Sequence, residues 1–167
     1  MSTLKELKKI CDEIDWDVEW DTYKATYGIV VVDFERQQIH PRHFAKGDCN
    51  GVYRMTYKDD NGKDRILYVG KSDATTSTIH GRILAHIRSL KVANNICKKS
   101  GEEFSTSESS GQNITDFFKS KNQKLVIIEI DYVDLRELGK NNGITELSEI
   151  SWIHHFKTEI NFETKEK

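Results

Sequence analysis

Gly51-Val52-Tyr53-Arg54-Met55-Thr56-Tyr57 and Arg65-Ile66-Leu67-Tyr68-Val69-Gly70-Lys71, joined through Asp59-Asp60-Asn61-Gly62, decide how this chain folds. Val52 to Tyr57 is rich in β-branched and aromatic residues and reads as a strand. Asn61-Gly62 tolerates the positive φ that a tight hairpin needs, so Arg65 to Val69 reads as the return strand. Tyr53 and Tyr68 then sit on neighbouring strands. Gly70 ends the hairpin, where a bare backbone allows a close approach. Thr75-Thr76-Ser77 offers caps for a helix over about residues 78–92, with Ile79, Ile83, Ile87 and Leu90 as its apolar stripe. Arg82 and His86 are four positions apart, so they share a face at the edge of that stripe. A charged residue at a core boundary needs a partner or a task.

Outward from there, Thr3 caps a helix to about Ile14, with Leu4, Leu7, Ile10 and Cys11 at helical spacing. Asp15 to Asp21 interleaves acids with Trp16, Val18 and Trp20, which suits a strand or extended segment with one buried face. Those rings could stack on bases, but the acids around them repel phosphate, so core packing is favoured. Gly28 to Asp33 is a β-branched run and reads as a buried strand. His40-Pro41-Arg42-His43 marks a turn and an exposed loop. Residues 98–124 read as an insertion. Within it, Ser105 to Asn113 is expected to be a mobile loop and Ile114 to Phe118 a short helix. It is either a DNA-contacting loop that orders on binding or a tolerated surface insertion. Leu125 to Ile130 is the clearest strand and apolar enough to be central. Thr145 caps a last helix to about Phe156. Trp152, Ile153 and Phe156 follow Glu149 by three, four and seven positions. A carboxylate therefore lies on the apolar face of that helix, where burial is expensive without a cation. His154 and His155 are adjacent on the helix and do not face each other, so they read as surface residues.

The 167 residues suffice for one domain with a real core. No apolar run approaches the ~20 residues of a membrane span. The N-terminus carries no leader pattern, and Cys11, Cys49 and Cys97 lie far apart with no Cys-x-x-Cys. Free thiols in a reducing cytoplasm are expected. Net charge is −2, yet residues 51–99 carry 10 basic against 4 acidic side chains within an acidic whole. That basic centre is where a phosphate backbone would sit.

Gly51-Val52-Tyr53, Tyr68-Val69-Gly70, Arg82-x3-His86, Glu149-x2-Trp152-Ile153 and Asn161 together resemble the GIY-YIG nuclease superfamily, over about residues 51–161. Order and approximate spacing agree. Valine replaces isoleucine in both tripeptides, the hairpin and the loop after the arginine helix are long, and Thr158 stands near where many members have proline. The resemblance implies an α+β fold: a small, mainly antiparallel sheet of about three core strands flanked by helices. Residues 1–50 would be an N-terminal extension packed on the core and 51–167 the catalytic domain. It also implies hydrolysis of DNA phosphodiesters with one divalent metal.

The chemistry of the residues agrees. Charge building up on a phosphodiester needs cations and an activated water. Glu149 is the expected metal ligand; one carboxylate plus waters suits Mg²⁺, with Mn²⁺ as a substitute. Arg82 can bind phosphate bidentately, and Lys71 can add charge. Tyr53 is the expected general base, provided nearby cations lower its pKa, and Tyr68 holds phosphate or water. The two tyrosines can exchange these roles. His86 is a proton relay or a hydrogen-bond support, and Asn161 orients part of the site. The expected function is a sequence-specific type II restriction endonuclease acting on double-stranded DNA as a homodimer in the cytoplasm. A phage or repair nuclease of the same superfamily, or a non-catalytic nucleic-acid-binding module, is the alternative.

Overall fold

A computed structural model describes residues 20–21, 24–44, 51–72, 78–96 and 108–134. The expected N-terminal helix and the final helix, with Glu149 and Asn161, lie outside the described residues. Within them the chain is α+β. The strands are β1 (Lys24–Asp33), β2 (Gln38–Arg42), β3 (Gly51–Lys58), β4 (Asp64–Ser72) and β5 (Leu125–Asp134). Helices α1 (Ile79–Ala93) and α2 (Glu108–Ser120) lie between β4 and β5 in the chain. The sheet order is β2-β1-β5-β3-β4, and every neighbouring pair is antiparallel.

Among the described residues the sheet therefore has five strands, not about three. The β1–β2 hairpin adds to the free side of β5, so residues ahead of the central hairpin are part of the same sheet. His40-Pro41-Arg42 is not a turn but most of β2, with Pro41 opposite Val30. Proline has no N–H for the ladder and is tolerated here because β2 is an edge strand. Positive φ at Gln37 and His43 brackets the strand.

Strand β5 is central, as its apolar run led one to expect. Its burial nevertheless alternates: Val126, Ile128 and Ile130 face the helices, while Leu125 and Ile127 are 59% and 51% exposed. In the β3–β4 turn only Gly62 takes positive φ. Asp59 organises that turn, its carboxylate accepting from the backbone N–H of Asn61 and of Lys63 at 2.9 Å each.

Two register shifts set which side chains share a face. Thr56 pairs with Ile66 but Met55 pairs with Tyr68, so Leu67 is an extra residue on β4. Without it, Tyr68 would oppose Arg54 and point to the other side of the sheet from Tyr53, since side chains alternate every residue. The bulge instead turns Tyr68 and Gly70 onto the face of Tyr53. In β1, Thr26 pairs with Asp131 but Gly28 with Ile130, which leaves Tyr27 as the extra residue there.

Helix α1 starts from Thr78, whose hydroxyl accepts from Gly81 N–H at 3.1 Å; the cap is this residue rather than 75–77. Ile79, Ile83, Ile87 and Leu90 are buried against the sheet as its spacing requires. Helix α2 occupies much of the stretch expected to be a mobile loop. Gly111 is why the two helices come so close: a Cβ there would lie 2.2 Å from the Ser89 carbonyl carbon. Its N–H donates to Ser89 Oγ at 2.9 Å, and Asn94 Nδ2 donates to Thr115 Oγ1 at 3.0 Å. Ile114 and Phe118 complete the core between helices and sheet.

On the opposite face of the sheet, Trp20 packs with Val52, Val69 and Val133. Arg54 lies 4.8 Å from the Trp20 ring centroid and pairs with Asp131 through two hydrogen bonds of 3.2 and 2.9 Å. Trp20 Nε1 donates to the same carboxylate. Trp20 is thus a packing residue, on helical rather than extended backbone.

Candidate active site

Tyr53 is flanked in the sheet by Gly70 on β4 and Tyr132 on β5. The close approach that Gly70 permits is that of a phenol. A Cβ at Gly70 would lie 2.4 Å from both Cζ and Oη of Tyr53 and 2.7 Å from Cε1 of Tyr68. Glycine is the residue that leaves room for the two rings, whose centroids are 6.0 Å apart.

From the helix above, His86 meets both rings edge-on, at 5.8 Å from Tyr53 and 5.1 Å from Tyr68. Tyr53 Oη and His86 Nε2 are 2.7 Å apart. The other ring nitrogen, Nδ1, is 2.8 Å from Ser110 Oγ on α2. This chain of groups is buried: Tyr53, His86 and Ser110 are 0%, 3% and 1% exposed. His86 is therefore inside the core rather than at the edge of the apolar stripe.

Arg82, one turn before His86 and half-buried, acts on both groups. Burial pushes the Tyr53 hydroxyl well above its ordinary range, and the neighbouring Tyr68 adds to this; the charge and hydrogen bonding of Arg82 pull the other way without prevailing. The condition for Tyr53 to be a base by itself, a phenol acidified by nearby cations, is thus not met in the free protein: desolvation outweighs the guanidinium. Burial first, and then Arg82, lower His86 to about 3. The resting site holds a protonated phenol and a neutral imidazole.

Of the residues singled out in the sequence, Tyr53, Tyr68, Arg82 and His86 come together. Lys71 pairs with Val52 and alternates onto the face of Val52 and Val69, away from Tyr53 and Tyr68. Glu149 and Asn161 fall outside the described residues. Ser110 was missed because it lay in the supposed loop. Its signal was the helical spacing of Ser110, Ile114 and Phe118. Also missed was Tyr27, whose hydroxyl bonds His80 Nδ1 on α1 and whose ring lies 6.3 Å from Tyr132. Gly28 within a strand pattern was its signal, since such glycines mark bulges.

Among the described residues no three or more His, Cys, Asp or Glu side chains gather as metal ligands. The described site offers phenols, an imidazole, a hydroxyl and a guanidinium, none of them an anionic oxygen. A divalent ion there would need a carboxylate from elsewhere in the chain, the part assigned to Glu149. Among the described residues no helix is long and apolar enough to cross a membrane. No family model, no curated protein and no solved structure matches the chain.

Proposed function

We propose that the protein is a metal-dependent DNA endonuclease of the GIY-YIG kind, acting on double-stranded DNA as a sequence-specific type II restriction endonuclease. The observation that carries this reading is the Tyr53–His86–Ser110 chain, with Tyr68 and Arg82 beside it. Four residues quoted for the family pattern, Tyr53, Tyr68, Arg82 and His86, lie together across a strand bulge and a glycine gap.

In this reading Arg82 holds a non-bridging phosphate oxygen. The phosphate then offsets the guanidinium charge that disfavours an imidazolium at His86. As a water oxygen bonds to phosphorus, its proton passes to Tyr53 Oη and the Tyr53 proton passes to His86 Nε2. The phosphorus–oxygen bond on the opposite side breaks, and its electron pair leaves with the departing oxygen. Tyr68 orients water or phosphate against Tyr53. Glu149 would hold Mg²⁺, which when bound supplies positive charge to the phosphate and the departing oxygen. A two-fold symmetric site would be cut by a homodimer.

The test is cleavage of plasmid DNA with Mg²⁺ and with EDTA, followed by end mapping. Cuts at a fixed sequence support the restriction reading, and scattered cuts point to a phage or repair nuclease. DNA retention without cutting across many substrates would leave a binding module. Glu149→Ala is expected to abolish cleavage while DNA binding in Ca²⁺ persists; an active variant would remove Glu149 from the mechanism.

A further inference from the structure

We propose that Ser110 is a positioning residue: its oxygen accepts the Nδ1–H of His86 and so holds the tautomer whose Nε2 can take the Tyr53 proton. The catalytic part of this inference rests on the nuclease reading; the hydrogen-bond direction does not.

The direction follows from the donors present. Arg82, one turn before His86, is a cation that acts on both Tyr53 and His86. Tyr53 has one proton to donate, and its oxygen faces the His86 ring. Among the described residues the hydrogen-bond geometry gives it one acceptor, His86 Nε2. An imidazole nitrogen is far more basic than a phenol oxygen, and Nε2 stands 2.7 Å away. A neutral imidazole that accepts at Nε2 carries its proton on Nδ1. The group facing Nδ1 is Ser110 Oγ at 2.8 Å. Protons thus run in one direction, from Tyr53 to His86 to Ser110.

The position of Ser110 is set by the helix crossing. The next residue, Gly111, rests on the backbone of Ser89 and donates its N–H to Ser89 Oγ. Turn or rotate α2 and Ser110 leaves His86. When Nε2 gains a proton from Tyr53, the imidazolium keeps Nδ1–H on Ser110, so no bond need be remade during the step. In the other tautomer Nε2 already carries a proton and cannot accept one from Tyr53.

Nitrogen-15 spectra of the histidine-labelled full chain read the tautomer without reference to activity. His86 is expected as the Nδ1–H form in the wild type. Ser110→Ala is expected to lose that preference and to lower kcat by about 10–100-fold with KM little changed, the usual scale for an outer partner of a site histidine. Ser110→Thr keeps a hydroxyl and is expected to restore both. A wild-type His86 protonated at Nε2 overturns the proposal, and needs no variant to fold. So does a Ser110→Ala protein that keeps both the Nδ1–H form and its kcat. If the wild type cuts no DNA, the nuclease reading fails, and the spectrum still decides the hydrogen bond.

Discussion

Helix α1 presents two histidines to two buried tyrosines, and the pairs are not alike. Tyr27 bonds His80 near the start of the helix, among aromatic neighbours: Phe44 at 4.8 Å and Tyr132 at 6.3 Å between centroids. Tyr53 bonds His86 nearly two turns on, with Tyr68 and the Arg82 guanidinium beside it and Ser110 behind. A phenol hydrogen-bonded to an imidazole is an ordinary way to satisfy two polar groups in a core. Around the second pair stand a fixed positive charge and an acceptor for the far ring nitrogen. The proposed function assigns chemistry to the pair so surrounded, and the first pair serves as its control.

The largest expected effect separates them directly. Tyr53→Phe is expected to lower kcat by about 10²–10⁴-fold, the range for a positioned acid–base group. Equal losses of kcat in Tyr53→Phe and Tyr27→Phe would mean that both pairs only hold the fold. Next, Gly70→Ala drives a methyl into the Tyr53 phenol. It is expected to cost about 1–3 kcal/mol of stability, as overpacking does, and to lose cleavage beyond what that loss explains. A Gly70→Ala protein with wild-type kcat would mean the phenol need not sit where it does.

The third effect is on acid stability. His86 sits at about 3 when folded, below the ordinary value of 6.5. The unfolded chain therefore binds a proton that the folded chain refuses, and stability falls as pH drops from about 6.5 toward 3. The slope from this one group is at most about 1.4 kcal/mol per pH unit. Denaturant midpoints measured over that window should be flatter in His86→Gln; an unchanged slope would place the titration elsewhere. The smallest effect is expected for Tyr27→Phe: about 1 kcal/mol of stability for the lost hydrogen bond, with cleavage unchanged.

Much of the fold could be read locally. The central hairpin, the stripe of α1 and the strand at β5 all follow from period-2 and period-3.6 patterns carried by neighbouring residues. The errors share a cause. Pro41 and Ser110 were read by their local character, as turn and loop residues, while their places depend on partners distant in sequence. Pro41 is held by β1, on an edge where its missing N–H costs nothing. Ser110 is held by His86, and its neighbour Gly111 by Ser89, across the helix crossing.

The sequence by itself determined which side chains can do chemistry and roughly where strands and helices begin, because residue identity and short-range periodicity are local properties. Only the tertiary structure decided that the two phenols share a face. One extra residue at Leu67 reverses the alternation of β4, and no local pattern announces a register that is set by pairing across strands. It also decided the protonation of the site. How far burial raises Tyr53 and lowers His86 depends on what surrounds them, and desolvation is a property of the packed molecule rather than of any stretch of chain.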